Sequence, residues 1–218
     1  MATSIFDDKS VIPNDNGEIM DEIKKLSELD ENQKNQSINV FIEGFYNIMS
    51  VVSKDKENLH WLLKNSFDYD ITYAYLQNGE AVGFLGLGNN QKRALNLNKD
   101  VFMKILPVTL PGFAGNSIYK AMYKAMCKPH TSGPEEIYID FITTNPEYRS
   151  TGIGSKLIEF IRCDLGYRTI KLDVMTKNPR AKKFYERMGF KVIKTRFDIM
   201  TRLQGFGGRI VMKWEAEK

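Results

Sequence analysis

Cysteine and histidine are scarce. The 218-residue chain has two of each: Cys127, Cys163, His60 and His130. Two cysteines cannot build a disulfide framework, and no CxxC or HExxH spacing surrounds the histidines. A structural zinc site is therefore not expected, and all four residues read as ordinary structural side chains in a reducing compartment. Long apolar runs are missing too. No stretch approaches the ~18 residues that a membrane-spanning helix needs. The opening MATSIFDDKSVIPNDNGE carries acid where a signal peptide carries positive charge, so the expectation is a cytoplasmic protein with no membrane partner. What is present is ordinary: 42% apolar and 27% charged residues. That excludes global disorder and collagen-like chains, and the length suits one large domain or two small ones.

Charge is unevenly spread. Residues 1–148 carry a net −6 and residues 149–218 a net +10. A basic final third fits a polyanionic partner (nucleic acid, acidic membrane or phosphate-rich cofactor) or simply a solvated basic face.

The periodicity predicts helices over 18–30, 37–53 with Ser37 as cap, and 54–66. ITYAYL (71–76), Asn78-Gly79 and AVGFLGLG (81–88) predict a hairpin with a left-handed turn. Residues 89–134 read as an insertion holding one helical run, SIYKAMYKAMCK. Its aromatic and Met residues suit either a helix core or a lid over the site. Strands follow at 136–142, 169–175, 190–195 and 208–214, with helices over 152–165 and 179–188 between them. The class is mixed α/β with one continuous sheet. The domain reading is an N-terminal arm and helix over 1–30 and one domain over 31–218.

Two segments carry the chemistry. In the first, EIYIDFITTNPEYRSTGIGSKLIEFI, a strand runs through a turn into Arg149-Ser150-Thr151-Gly152-Ile153-Gly154-Ser155 and then a helix. A helix start presents unpaired N–H groups at the positive end of its dipole, a ready seat for phosphate. Arg149 and Lys156 add charge. The dinucleotide fingerprint fails because position 157 is Leu, and the P-loop fails because Ser155 follows Gly154. Packing alone would also explain the glycine pair.

In the second, DVMTKNPRAKKFYERMGF, Asn178 and Pro179 open a helix that Gly189 ends. Ala181, Phe184, Tyr185 and Met188 share one face. Tyr185 is either a core residue with a wet tip or a functional hydroxyl.

Together these segments resemble the GNAT superfamily of N-acetyltransferases. Arg149, Gly152 and Gly154 resemble its (Q/R)xxGx(G/A) motif. Asn178, Ala181, Phe184, Tyr185, Gly189 and Phe190 resemble its NxxAxxFYxxxGF motif. The resemblance is strong over about 136–195. It implies a GNAT-like fold: one mostly antiparallel mixed sheet, flanked by helices, with a splayed central strand pair. It also implies acetyl-CoA as co-substrate, with its pyrophosphate on residues 149–155 and its pantetheine arm on the freed backbone of Ile142, Thr143 and Thr144. No metal is implied.

The implied reaction is direct attack of an amine on the thioester. Tyr185 would be general acid, and Asn178 would orient the cofactor or a water. A backbone N–H near Ile142 or Thr143 would hold the oxyanion. For the base, Asp140 comes first and Glu136 second, although either could be an ion-pair residue. Lys177, Arg180, Lys182 and Lys183 could neighbour the phosphates or form a solvated face. The implied partner is a small-molecule or peptide amine, and homodimers are common in the family. A non-catalytic acyl-CoA sensor and a nucleic-acid binder are the alternatives. The latter lacks aromatic-basic interleaving, so no nucleic-acid partner is expected.

Overall fold

The computed structural model describes residues 20–106, 112–130, 133–196, 205 and 207–217. Asn78 and Gly79 take φ values of 51° and 81°, the left-handed pair that joins twisted strands tightly. They link β2 (Thr72–Gln77) to β3 (Glu80–Gly88). The other strands are β1 (Asp21–Lys25), β4 (Glu136–Thr144), β5 (Thr169–Met175), β6 (Lys191–Arg196) and β7 (Arg209–Glu215). They form one seven-stranded sheet in the order β1–β2–β3–β4–β5–β7–β6. All neighbours are antiparallel except β4 and β5, as the α/β expectation of a mostly antiparallel mixed sheet requires.

Helices cover both faces. On one lie α1 (Glu31–Met49), α2 (Lys56–Lys64), α3 (Lys99–Ile105) and α4 (Gly112–Met126). Their core joins Phe41, Phe84, Phe102 and Phe141. On the other lie α5 (Ile153–Cys163) and α6 (Pro179–Arg187), over a core that joins Ile139, Leu157, Leu172 and Tyr185. None of these helices is long and apolar enough to cross a membrane.

Three expectations change. The predicted helix over 18–30 is β1 followed by a 3₁₀ turn, Leu26–Glu28. Its apolar spacing is helical, but the segment pairs antiparallel along the otherwise open edge of β2 and covers it. Asn78 Oδ1 accepts from Met20 N at 3.1 Å and fixes the register. The arm therefore contributes the first strand of the sheet. Next, α1 begins at residue 31. Its cap is Asp30, which accepts from Gln33 N at 2.8 Å, whereas Ser37 is buried and donates to Gln33 O. Lastly, among the described residues the 89–134 segment holds two helices, α3 and α4. Leu95, Leu97, Val101 and Phe102 are buried in the α1 core, and Tyr119, Met122 and Met126 pack against it.

α1 approaches β4 so closely that a Cβ at Gly44 would sit 2.1 Å from Thr143 Oγ1. Overpacking of this kind costs about 2 kcal/mol. Gly44→Ala should lose roughly that much stability in urea melts, and it should displace β4 at Thr143. An unchanged midpoint would show that the helix is not seated there.

Candidate active site

β4 and β5 run together and then part. Glu136–Ile139 pair with Thr169–Leu172. Beyond them Ile142, Thr143 and Thr144 pair only with Leu85, Phe84 and Gly83 of β3, while Asp173–Met175 pair only with β7. Each strand thus turns one backbone edge into the notch. Asp140 sits at the fork as the extra residue of a bulge, since Gly86 pairs Phe141 and Leu87 pairs Ile139. A bulge re-aims the residues beyond it. Phe141 therefore packs on Phe41 and Phe45 of α1, and Ile142 lies on the α5 side.

Beyond β4, Asn145 caps a 3₁₀ turn, Pro146–Tyr148. Ser150 and Gly152 then take φ values of 72° and 91°. Among the described residues, the amides of Ser150, Thr151, Gly152, Ile153 and Gly154 donate to no protein acceptor. Ser155 N is different and donates to Gly152 O. A Cβ at Gly152 would meet nothing within 4 Å, and the undonated amides stand at the positive end of α5. That is the chemistry of a diphosphate seat. Arg149 is exposed beside it. Lys156 is not part of it: its Nζ is held by Asp21 and by Tyr75 Oη at 3.0 Å. Burial works against the Asp21 charge, but hydrogen bonds from Lys156, Tyr75 and Gln77 hold its carboxyl below the usual range.

α6 closes the seat. Asn178 Oδ1 accepts from Ala181 N at 3.0 Å and starts the helix. Phe184 lies 3.2 Å from where a Gly154 Cβ would be, and Arg180 Nη2 donates to Ser150 Oγ at 3.2 Å. Lys182 pairs with Glu186 instead. Tyr185 is only 8% exposed and packs between Phe184 and Phe190. Its hydroxyl has no partner among the described residues. Burial pushes the phenol well up from its ordinary value, so it stays protonated.

The opposite face of the fork is polar. Asp140, expected as the base, is engaged on every side and its side chain is 0% exposed. It accepts from Arg93 Nε at 2.7 Å, Ala94 N at 3.0 Å and His130 Nε2 at 2.7 Å. The carboxylate is thus held by three groups and closed to solvent. Tyr138 donates to Asp173 Oδ1 at 2.7 Å and stacks on His130 at 3.7 Å. Neither His130 nor Asp173 was singled out as functional in the sequence. His130 is alone in its surroundings, and only the fold brings it to Asp140.

Glu136, the second expected base, is tied to Lys171 Nζ at 2.7 Å and Gly133 N at 3.1 Å. Chiefly through Lys171, its carboxyl is held below its ordinary 4.5. A depressed folded-state pKa adds stability above about pH 4.5, and that stability is lost as pH falls through the folded value. Glu136→Gln should therefore be less stable than the parent near pH 6, with a flatter acid limb in a plot of Tm against pH. Parallel limbs would show that the pair contributes nothing.

Comparison with known proteins settles the family. The family model described as Acetyltransferase (GNAT) family matches residues 41–190, which span the fork, the open amides and α6. The chain belongs to the GNAT acetyltransferase family. Its solved GNAT neighbours share the fold at low identity. An acetyltransferase of the family from Bacillus cereus has a TM-score of 0.53 at 12% identity, over 91% of this chain and 99% of that one. A ribosomal-protein alanine N-acetyltransferase from Escherichia coli has a TM-score of 0.51 at 16% identity, over 91% and 96%. A curated relative is the 5-NmdU N-acetyltransferase of Pseudomonas phage PaMx11, 39% identical over 57 residues. That match covers 26% of this chain, which spans about two fifths (41%) of the relative's length. In GNAT terms the splayed β4–β5 pair is present as expected, and so are both motif segments.

Proposed function

We propose that this acetyltransferase moves the acetyl group of acetyl-CoA to a primary amine by direct attack. The carrying observation is the fork itself: a parted β4–β5 pair, with five undonated amides in the segment after β4 and the buried Tyr185 on α6 after β5. The amides of residues 150–154 take the pyrophosphate. The free edge of Ile142–Thr144 takes the pantetheine arm as an added strand. An outward amide near Ile142 or Thr143 holds the oxyanion. The nitrogen lone pair forms the new C–N bond, the C–S bond breaks with its electrons going to sulfur, and Tyr185 protonates the departing thiolate. Asn178 serves by capping α6 and so aiming Tyr185. Arg149 and Arg180 flank the phosphates.

The test mixes the protein, acetyl-CoA and a panel of amines. The panel covers a peptide α-amine, lysine, a polyamine, an amino sugar, and 5-NmdU from the name of the phage relative. Release of free thiol with stoichiometric N-acetyl product supports the reading. Tight CoA binding without turnover on any amine would mark an acyl-CoA sensor instead.

A further inference from the structure

Resting on that transfer reading, we propose that His130 is the base that takes the proton from the acceptor amine, with Asp140 as its positioning residue. A lysine-like amine is a cation at neutral pH, with a pKa near ~10.4, and must lose a proton before its lone pair can attack. None of the residues assigned above does this. Asp140 and Glu136 are both held in ion pairs, and Tyr185 is a proton donor.

His130 sits where the task arises. Asp140 and Tyr138 stand at the point where β4 leaves β5, on the face away from α5, and His130 contacts both. Three groups determine its imidazole. Asp140 Oδ1 lies 2.7 Å from Nε2. Tyr138 lies under the ring at 3.7 Å with the planes 14° apart. The backbone N of His130 donates to Asn89 O at 2.9 Å. Arg93 donates to the same oxygen and Ala94 N to the other, so both Asp140 oxygens act as acceptors. A carboxylate that only accepts requires the hydrogen on Nε2, which leaves the lone pair on Nδ1. Nδ1 has no hydrogen-bond partner among the described residues. The side chain is 17% exposed, against 0% for Asp140. A carboxylate behind, an oriented ring and a free outer nitrogen are the arrangement of a general base.

The charged and titratable groups facing this ring are Asp140 and Tyr138 of β4 and Arg93 from the segment before α3. Behind Tyr138 stand Asp173 of β5 and the Arg196 charge of β6. Cys127, also near Arg93 and Asp140, is buried, and its thiol is pushed up to about 11, chiefly by that burial. It stays neutral and does not compete.

The step balances. One N–H bond of the ammonium breaks as Nδ1–H forms, directly or through one water. The freed lone pair attacks the thioester carbon. The adduct's remaining surplus proton and the one on Nδ1 account for the proton returned to Tyr185 and the proton released to solvent. No oxidant or further reactant is needed.

His130→Gln is the test variant. Asp140→Asn is a poorer one, because it would leave the largely buried Arg93 unbalanced. At pH 7, kcat/KM for a strongly basic amine should fall about 10²-fold, the ordinary size of a general-base contribution. Binding of acetyl-CoA should not change. The acid limb of the parent's pH–rate profile should disappear, and added imidazole should restore part of the rate. A weakly basic amine, already neutral at pH 7, should lose far less. A merely structural histidine would show no rescue and equal losses for both amines. If His130→Gln does not fold, ¹⁵N spectra of the parent decide: hydrogen on Nε2 supports the base, and hydrogen on Nδ1 overturns it. A parent inert toward every amine overturns the transfer reading and the base with it. An active parent whose His130→Gln variant keeps its rate and its acid limb overturns the base alone.

Discussion

Tyr185→Phe should lower kcat by about 10³-fold, within the range that a general acid contributes, and leave the fold intact. The second half follows from the packing. The ring lies between Phe184 and Phe190, and phenylalanine fills the same space. Among the described residues the hydroxyl has no hydrogen-bond partner, so its removal strands none of them. Tm and the Kd for acetyl-CoA should match the parent. The first half follows from burial. A phenol raised by desolvation is protonated throughout the neutral range, and the same desolvation makes an unprotonated thiolate a poor leaving group there. Stopped-flow thiol release at several pH values measures it. Equal rates for variant and parent at every pH would remove Tyr185 from the chemistry.

Gly152→Val should cost most of the affinity for CoA. The φ of 91° is one that a β-branched residue cannot hold without strain of 1–2 kcal/mol. Relief of that strain re-aims the neighbouring amides, each worth 1.5–3 kcal/mol as a hydrogen bond to a charged oxygen. A loss of about 4 kcal/mol is the expected total, close to 10³-fold in Kd. The added methyls would point into open space, so the loss should come through backbone geometry and not through collision. Calorimetry with CoA and with pantetheine, which lacks the diphosphate, separates the contributions. Pantetheine should bind parent and variant alike. A variant that keeps parental CoA affinity would show that the diphosphate sits elsewhere.

The two motif segments were legible because each is local. A strand, a turn and a helix start within a few residues determine where the amides of 150–154 point. Asn178-Pro179 and Gly189 likewise bracket α6 without help from the rest of the chain. The cap at Asp30 was missed in favour of Ser37, although Gln33 follows Asp30 at capping-box spacing. Other features depend on partners distant in sequence. β1 is a strand because β2 offers an edge 52 residues later, with Asp21 opposite Gln77 and Lys25 opposite Tyr73. The alternation on β4 breaks at Asp140 because β3 fails to supply a partner there. Arg93, Ala94 and His130 then converge on Asp140 from 47, 46 and 10 residues away. No periodicity records such a meeting. The 89–134 segment was opaque for the same reason: its apolar residues answer to α1 and not to one another.

One structure tests the central claim most directly: the protein crystallised with CoA. The diphosphate should lie against the amides of residues 150–154, with the pantetheine arm along Ile142–Thr144 and the sulfur beside the Tyr185 hydroxyl. Density for the cofactor on another surface, with the fork between β4 and β5 left to solvent, would contradict it.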